Sequence, residues 1–141
     1  MILVFVEHGP EGLDETSLET LRFARDLGAA GGGVAVDAVG VGIAGFAAEL
    51  GDHGVRTAYD VVGDTVSAYS GAAWAAGVLT ARERSGAVVI TAAGTQRGNE
   101  VLAHAATRVD APMAANVISF SGLAPFVVTR QVMGGSALEE M

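Results

Sequence analysis

Apolar positions along this chain alternate between two patterns. Ile2 to Val6 and Ala87 to Thr91 are short apolar runs rich in β-branched residues, which predicts strands buried on both faces, as in a parallel sheet. Val34 to Val41 and Val55 to Val62 predict two more strands, the latter closer to an edge because Arg56, Thr57, Tyr59 and Asp60 make it more polar. Between these runs the period changes to that of a helix. Leu18, Leu21, Ala24 and Leu27 share a face, with Asp14 as the N-cap, Glu15 and Glu19 at the positive end and Gly28 as the stop. Ala44 to Leu50 predicts a short helix. A longer one, capped by Thr65 or Ser67, runs to about Arg84, with Ala68, Ala72, Ala75 and Leu79 toward the sheet and Trp74 and Val78 on a flank. Leu102, Ala105, Ala106 and Val109 mark one face of a helix from Asn99 to Asp110, and Glu100, His104 and Arg108 mark its wet face; Pro112 closes it.

After Pro112 the helical period disappears. Ala115 to Phe120, Phe126 to Met133 and Ser136 to Met141 read as strands around a turn at Ser121 to Pro125 and a bend at Gly134-Gly135. Strands joined without helices pair as antiparallel ribbons. The order β-α-β-α-β-α-β-α-β and then ribbons predicts an α/β fold. It is a three-layer α/β/α sandwich with a mainly parallel, Rossmann-like sheet and a C-terminal antiparallel ribbon. The 141 residues fit one domain, 1–141.

Composition narrows the function. The formal charge is −8, lysine is absent and the eight arginines are scattered, which argues against nucleic acid as a partner. Without cysteine there is no disulfide, thiolate or cysteine-ligated metal. Ile2 to Val6 is too short and lacks the basic flank of a signal peptide. No apolar run reaches the roughly 20 residues that span a bilayer, so a cytoplasmic protein without membrane insertion is expected.

Two glycine-rich stretches compete as sites. Gly40-Val41-Gly42-Ile43-Ala44-Gly45 follows a strand, opens a helix and has Asp60 about 20 residues on, as a dinucleotide fingerprint asks. Against an NAD-binding oxidoreductase stand its place on the second βα turn, the short helix after it and the abundance of glycine; a plain turn is preferred. The loop Ala92 to Gly98 lies at a strand's carboxyl end, where open sheets gather ligands. Its backbone N–H groups and Arg97 offer an anion cradle, so Gly94, Thr95, Arg97, Gly98 and Asn99 are the cofactor-binding candidates, against a tight connection that needs glycine geometry. His8, at the end of the first strand, faces the same crevice as Thr95. The three histidines are too far apart to suggest a metal site, and no P-loop or G-x-S-x-G elbow supports phosphate transfer or a catalytic serine. No catalytic residue is assigned. Trp74, Phe5, Phe23 and Phe46 read as core, and Glu139-Glu140 as a solvated tail.

These residues carry a family resemblance. Ile2-Leu3-Val4-Phe5-Val6-Glu7-His8 resembles the first strand of the N-terminal domain of the electron transfer flavoprotein alpha subunit. Ala93-Gly94-Thr95-Gln96-Arg97-Gly98 resembles its Gly-Ala-Ser/Thr-x-x-Gly loop, Val101 to Pro112 its next helix, and Val128 to Gly135 its arginine-to-glycine ribbon. Ala93 replaces the loop's first glycine, and His104 stands where arginine is usual. The resemblance implies an adenine-nucleotide hydrolase-like sandwich and a scaffold role in a heterodimer with a beta subunit. It also implies electrons accepted from acyl-CoA or other dehydrogenases through FAD. The FAD-contacting C-terminal domain of that family has no counterpart in 1–141, so none of its residues is carried over, and no cofactor is expected on this stretch itself. A universal-stress-like adenine nucleotide-binding domain is the alternative that uses the same fold.

Overall fold

The computed structural model describes residues 1–115, 117–123, 126–132 and 137–140. Four strands, β1 (Ile2–Phe5), β2 (Val36–Val41), β3 (Val55–Val61) and β4 (Val89–Ala92), form an all-parallel sheet in the order β3-β2-β1-β4. The register pairs Ile2 with Val36 on one side and with Val89 on the other. The polar β3 is an edge strand, as its composition predicts.

Alternate residues of β1 feed two cores. Ile2, Val4 and Val6 pack with Leu21, Ala24 and Leu27 of α1 (Glu15–Ala30) and Leu50 of α2 (Ala47–Asp52). Leu3 and Phe5 pack on the opposite face with Ala75, Val78 and Ala81 of α3 (Gly71–Ser85) and Val101 and Ala105 of α4 (Gln96–Arg108). This is the three-layer sandwich the pattern predicts, built from the period-2 alternation of a strand covered on both sides.

The helix boundaries differ from expectation for identifiable reasons. α1 runs through Gly28 to Ala30. Gly28 is buried there because a Cβ would lie 2.4 Å from the Val34 carbonyl oxygen, so this glycine permits close packing rather than ending the helix. Asp14 is the N-cap, but its side chain makes no cap bond; its backbone carbonyl accepts from the N–H groups of Ser17 and Leu18. Thr65 falls in a 3-10 turn, Asp64–Val66, and α3 is capped by Ser70, whose Oγ accepts from the Ala73 N–H at 3.3 Å. Consequently Ala68 is outside the helix and exposed, while Val78, expected on a flank, is fully buried. α4 begins three residues before Asn99, and Val101 supplies its fully buried contact where the pattern had emphasised Leu102.

The fifth strand also departs from the simple alternation. Among the described residues β5 (Val117–Leu123) joins no parallel partner; it pairs antiparallel with β6 (Phe126–Val132), which pairs with β7 (Ala137–Glu140) in a separate three-stranded sheet. Phe120 meets Phe23 of α1 edge-on, with ring centroids 5.5 Å apart. The expected bend at Gly134-Gly135 lies outside the described residues. No helix among the described residues is long and apolar enough to cross a membrane.

Candidate functional site

The carboxyl ends of β1 and β2 and the first turns of α3 and α4 meet at one crevice of about 240 Å³, lined by Val6, Glu7, His8, Asp14, Val41, Trp74 and Arg97. Parallel strands place it: each ends on the same side, where α3 and α4, packed together on one face of the sheet, bring Trp74 and Arg97 beside the strand ends.

Thr95 is the hinge of the local geometry. It is the N-cap of α4, with extended backbone, and its Oγ1 accepts from the Gly98 N–H at 2.9 Å. The same hydroxyl donates to Glu7 Oε2 at 2.6 Å, across 88 residues of sequence. The helix N-terminus therefore satisfies one of its free N–H groups within the chain. Gly98 is needed for contact: a Cβ there would lie 2.2 Å from the Ala93 carbonyl oxygen. Glu7 is itself anchored, its N–H donating to the buried Ser17 Oγ at 2.8 Å.

Arg97 lies across two aromatic rings, 4.5 Å from the Tyr69 centroid and 5.5 Å from that of Trp74. Those rings meet edge-on, 5.0 Å apart, and Trp74 also contacts Phe5 at 6.2 Å. Tyr69 donates its hydroxyl to Glu100 Oε1 at 2.6 Å. Burial first, and the Glu100 carboxylate second, push the Tyr69 phenol up to about 12. Glu100 also packs against the first turn of α3, where a Cβ on Gly71 would lie 2.5 Å from its Oε1. The indole Nε1 of Trp74 is buried with no hydrogen-bond partner among the described residues.

His8 faces this crevice, with Nε2 2.8 Å from the Val41 carbonyl oxygen and Nδ1 3.0 Å from that of Gly9. Its ring rests on Phe46 at 4.7 Å. The imidazole thus ties the ends of β1 and β2 together. Among the described residues no three His, Asp or Glu side chains converge as metal ligands do.

The five candidates from the glycine loop separate in space. Arg97 alone lines the crevice; Thr95 and Gly98 sit behind it, Thr95 holding the Glu7 carboxylate and the Gly98 N–H. Gly94 and Asn99 instead line a mostly aliphatic groove of about 530 Å³ beside β4. Glu7 and Trp74 also line the crevice, and Tyr69, held by Glu100, lies under Arg97, without any of the four having been singled out as site residues. Only the position of Glu7 at the end of a strand was a signal; Tyr69, Trp74 and Glu100 come from separate elements whose docking no local pattern encodes.

The G-x-G-x-x-G stretch closes on its own chain. Asp60 Oδ1, in the position of a ribose-binding acid, accepts from the Ile43 N–H at 2.8 Å. Gly40 is close-packed, since a Cβ would lie 2.9 Å from the Val6 carbonyl oxygen, and Gly42 has φ +69°. The turn leads into a three-residue 3-10 turn, Ala44–Phe46, and the six-residue α2, not into a long helix with its dipole aimed outward.

A comparison with curated proteins finds no match. The sequence model of the electron transfer flavoprotein domain matches residues 2–141, which spans both the parallel sheet and the antiparallel one. With nearly its whole length matched, the chain belongs to the electron transfer flavoprotein domain family.

Proposed function

We propose that this chain acts as an alpha-type N-terminal domain of an electron transfer flavoprotein: a scaffold and docking domain that carries out no chemistry of its own. In this reading it packs against a beta-type subunit. The FAD that takes electrons from acyl-CoA or other dehydrogenases is held by polypeptide other than residues 1–141. The flavin would supply the redox chemistry, and this domain position and electrostatics.

One observation carries the reading within the family. Where an α/β sandwich offers N–H groups and hydroxyls to a nucleotide phosphate, this chain spends them on itself: Gly98 N–H on Thr95, the Thr95 hydroxyl on Glu7, and Ile43 N–H on Asp60. The openings in the chain support a flavin held by other polypeptide. The crevice, at about 240 Å³, is below the roughly 300–1,000 Å³ of sites for drug-sized ligands. The larger groove beside β4 has Arg82 as its one cation among the described residues that line it.

The test uses the chain as expressed. The purified protein is expected to show no flavin absorption band and no thermal shift with AMP or ATP, since a ligand that binds only the native state must raise its stability. It is expected to co-purify with an electron transfer flavoprotein beta-type subunit. A stoichiometric flavin band, or a clear shift with AMP, overturns the proposal and favours the nucleotide-binding alternative.

A further inference from the structure

The chain holds one tryptophan and two tyrosines, and the tryptophan and one of the tyrosines sit together under Arg97. Both centroid distances fall within the roughly 6 Å over which a ring face attracts a cation. Glu7 and Asp14 line the same crevice, and Glu100 holds the Tyr69 hydroxyl. Yet no carboxylate among the described residues is at ion-pair distance from Arg97, and its side chain is exposed. Two ring faces and a diffuse negative field hold this guanidinium, and neither is costly to exchange for an equivalent contact. The arrangement recognises a planar cation, and the chain fills it from within.

We propose that the crevice is a socket for an arginine of a partner polypeptide, with Arg97 as its displaceable resident. On docking, the partner's guanidinium takes the place of Arg97 against Tyr69 and Trp74. This rests on the reading of the chain as a docking domain. A guanidinium suits the rings better than an ammonium because it is planar and weakly hydrated. A cation suits the site better than an anion because two carboxylates, Glu7 and Asp14, line it and a third, Glu100, holds the Tyr69 hydroxyl, in a chain of formal charge −8. At about 240 Å³ the space suits a side chain.

Trp74 is the only tryptophan, so its fluorescence reports this socket alone. Arg97→Ala empties it, and Arg97→Gln removes the charge while keeping most of the bulk. Near-ultraviolet circular dichroism checks that both variants keep the native fold. Each protein is titrated with methylguanidinium chloride and, at equal ionic strength, methylammonium chloride. A short arginine peptide and its citrulline counterpart follow. The expected result is that methylguanidinium, but not methylammonium, returns the Trp74 emission of both variants toward that of the wild type. The arginine peptide should bind Arg97→Ala roughly five- to thirty-fold more tightly than the wild type, from the two cation–π contacts freed, and the citrulline peptide should bind neither. Equal titrations of wild type and variants, or an equal response to methylammonium, overturn the proposal. A response to methylguanidinium without one to the arginine peptide also overturns it, by assigning the socket to a small free cation. None of these outcomes touches the flavin and AMP measurements on the wild type, so the two readings fail separately.

Discussion

Thr95→Val is the most informative single change in this domain. It keeps the shape of the side chain and removes the one hydroxyl that both caps α4 and reaches β1. The cap, Gly98 N–H to Oγ1 at 2.9 Å, is worth about 1 kcal/mol. The 2.6 Å bond to the Glu7 carboxylate belongs to the charged class, about 1.5–3 kcal/mol. Glu7 is half-buried, so water recovers part of the second loss. The expected destabilisation is about 2–3 kcal/mol, and with a urea slope of about 2 kcal/mol/M the midpoint falls by roughly 1 M at unchanged slope. Thr95→Ser, which keeps the oxygen, should lose well under half as much. In a double-mutant cycle with Glu7→Gln, the coupling should be about 1 kcal/mol, because the amide keeps an acceptor but loses its charge. A Thr95→Val loss below about 0.5 kcal/mol, or a Thr95→Ser loss as large as that of valine, would refute the claim that this hydroxyl joins the two elements.

The loop's two glycines should respond unequally to alanine. Gly98→Ala forces a Cβ to 2.2 Å from the Ala93 carbonyl oxygen and should cost about 1–3 kcal/mol or more. Gly94→Ala meets nothing within 4 Å and should stay within about 0.5 kcal/mol by the same urea assay; equal losses would contradict the contact argument. For Tyr69, a tyrosinate absorbance titration of wild type minus Tyr69→Phe should give a midpoint of about 12. Because the folded value lies above the ordinary 10.0, the stability this phenol contributes is complete below about pH 10 and lost as pH rises from there through about 12. Glu100→Gln should lower the midpoint only in part, since burial is the larger cause; a midpoint unmoved by it would show that the 2.6 Å bond does not form.

The sequence by itself determined the layers. Continuous apolar runs such as Ile2-Leu3-Val4-Phe5 can be buried only if covered on both faces, and each lies next to a segment of helical period, so the parallel sandwich followed from local pattern. The polar residues of β3 marked an edge for the same reason. Local pattern pointed to Thr65 or Ser67 as the cap of α3 and missed Ser70, because all three are good capping residues. The choice falls on Ser70 in a fold where Gly71 packs against Glu100 of α4, and that contact exists only once both helices lie on the sheet.

The same limit applies to the crevice. Sequence located its loop and its strand end, since both lie where parallel strands stop. Only tertiary packing decided that Thr95 would bind Glu7, that Asp60 would take the Ile43 N–H, and that Tyr69 and Trp74 would pass beneath Arg97. A motif records which donors a turn can offer. Which acceptor reaches them first depends on groups brought within 3 Å by the folding of distant segments, a distance that no spacing along the chain encodes.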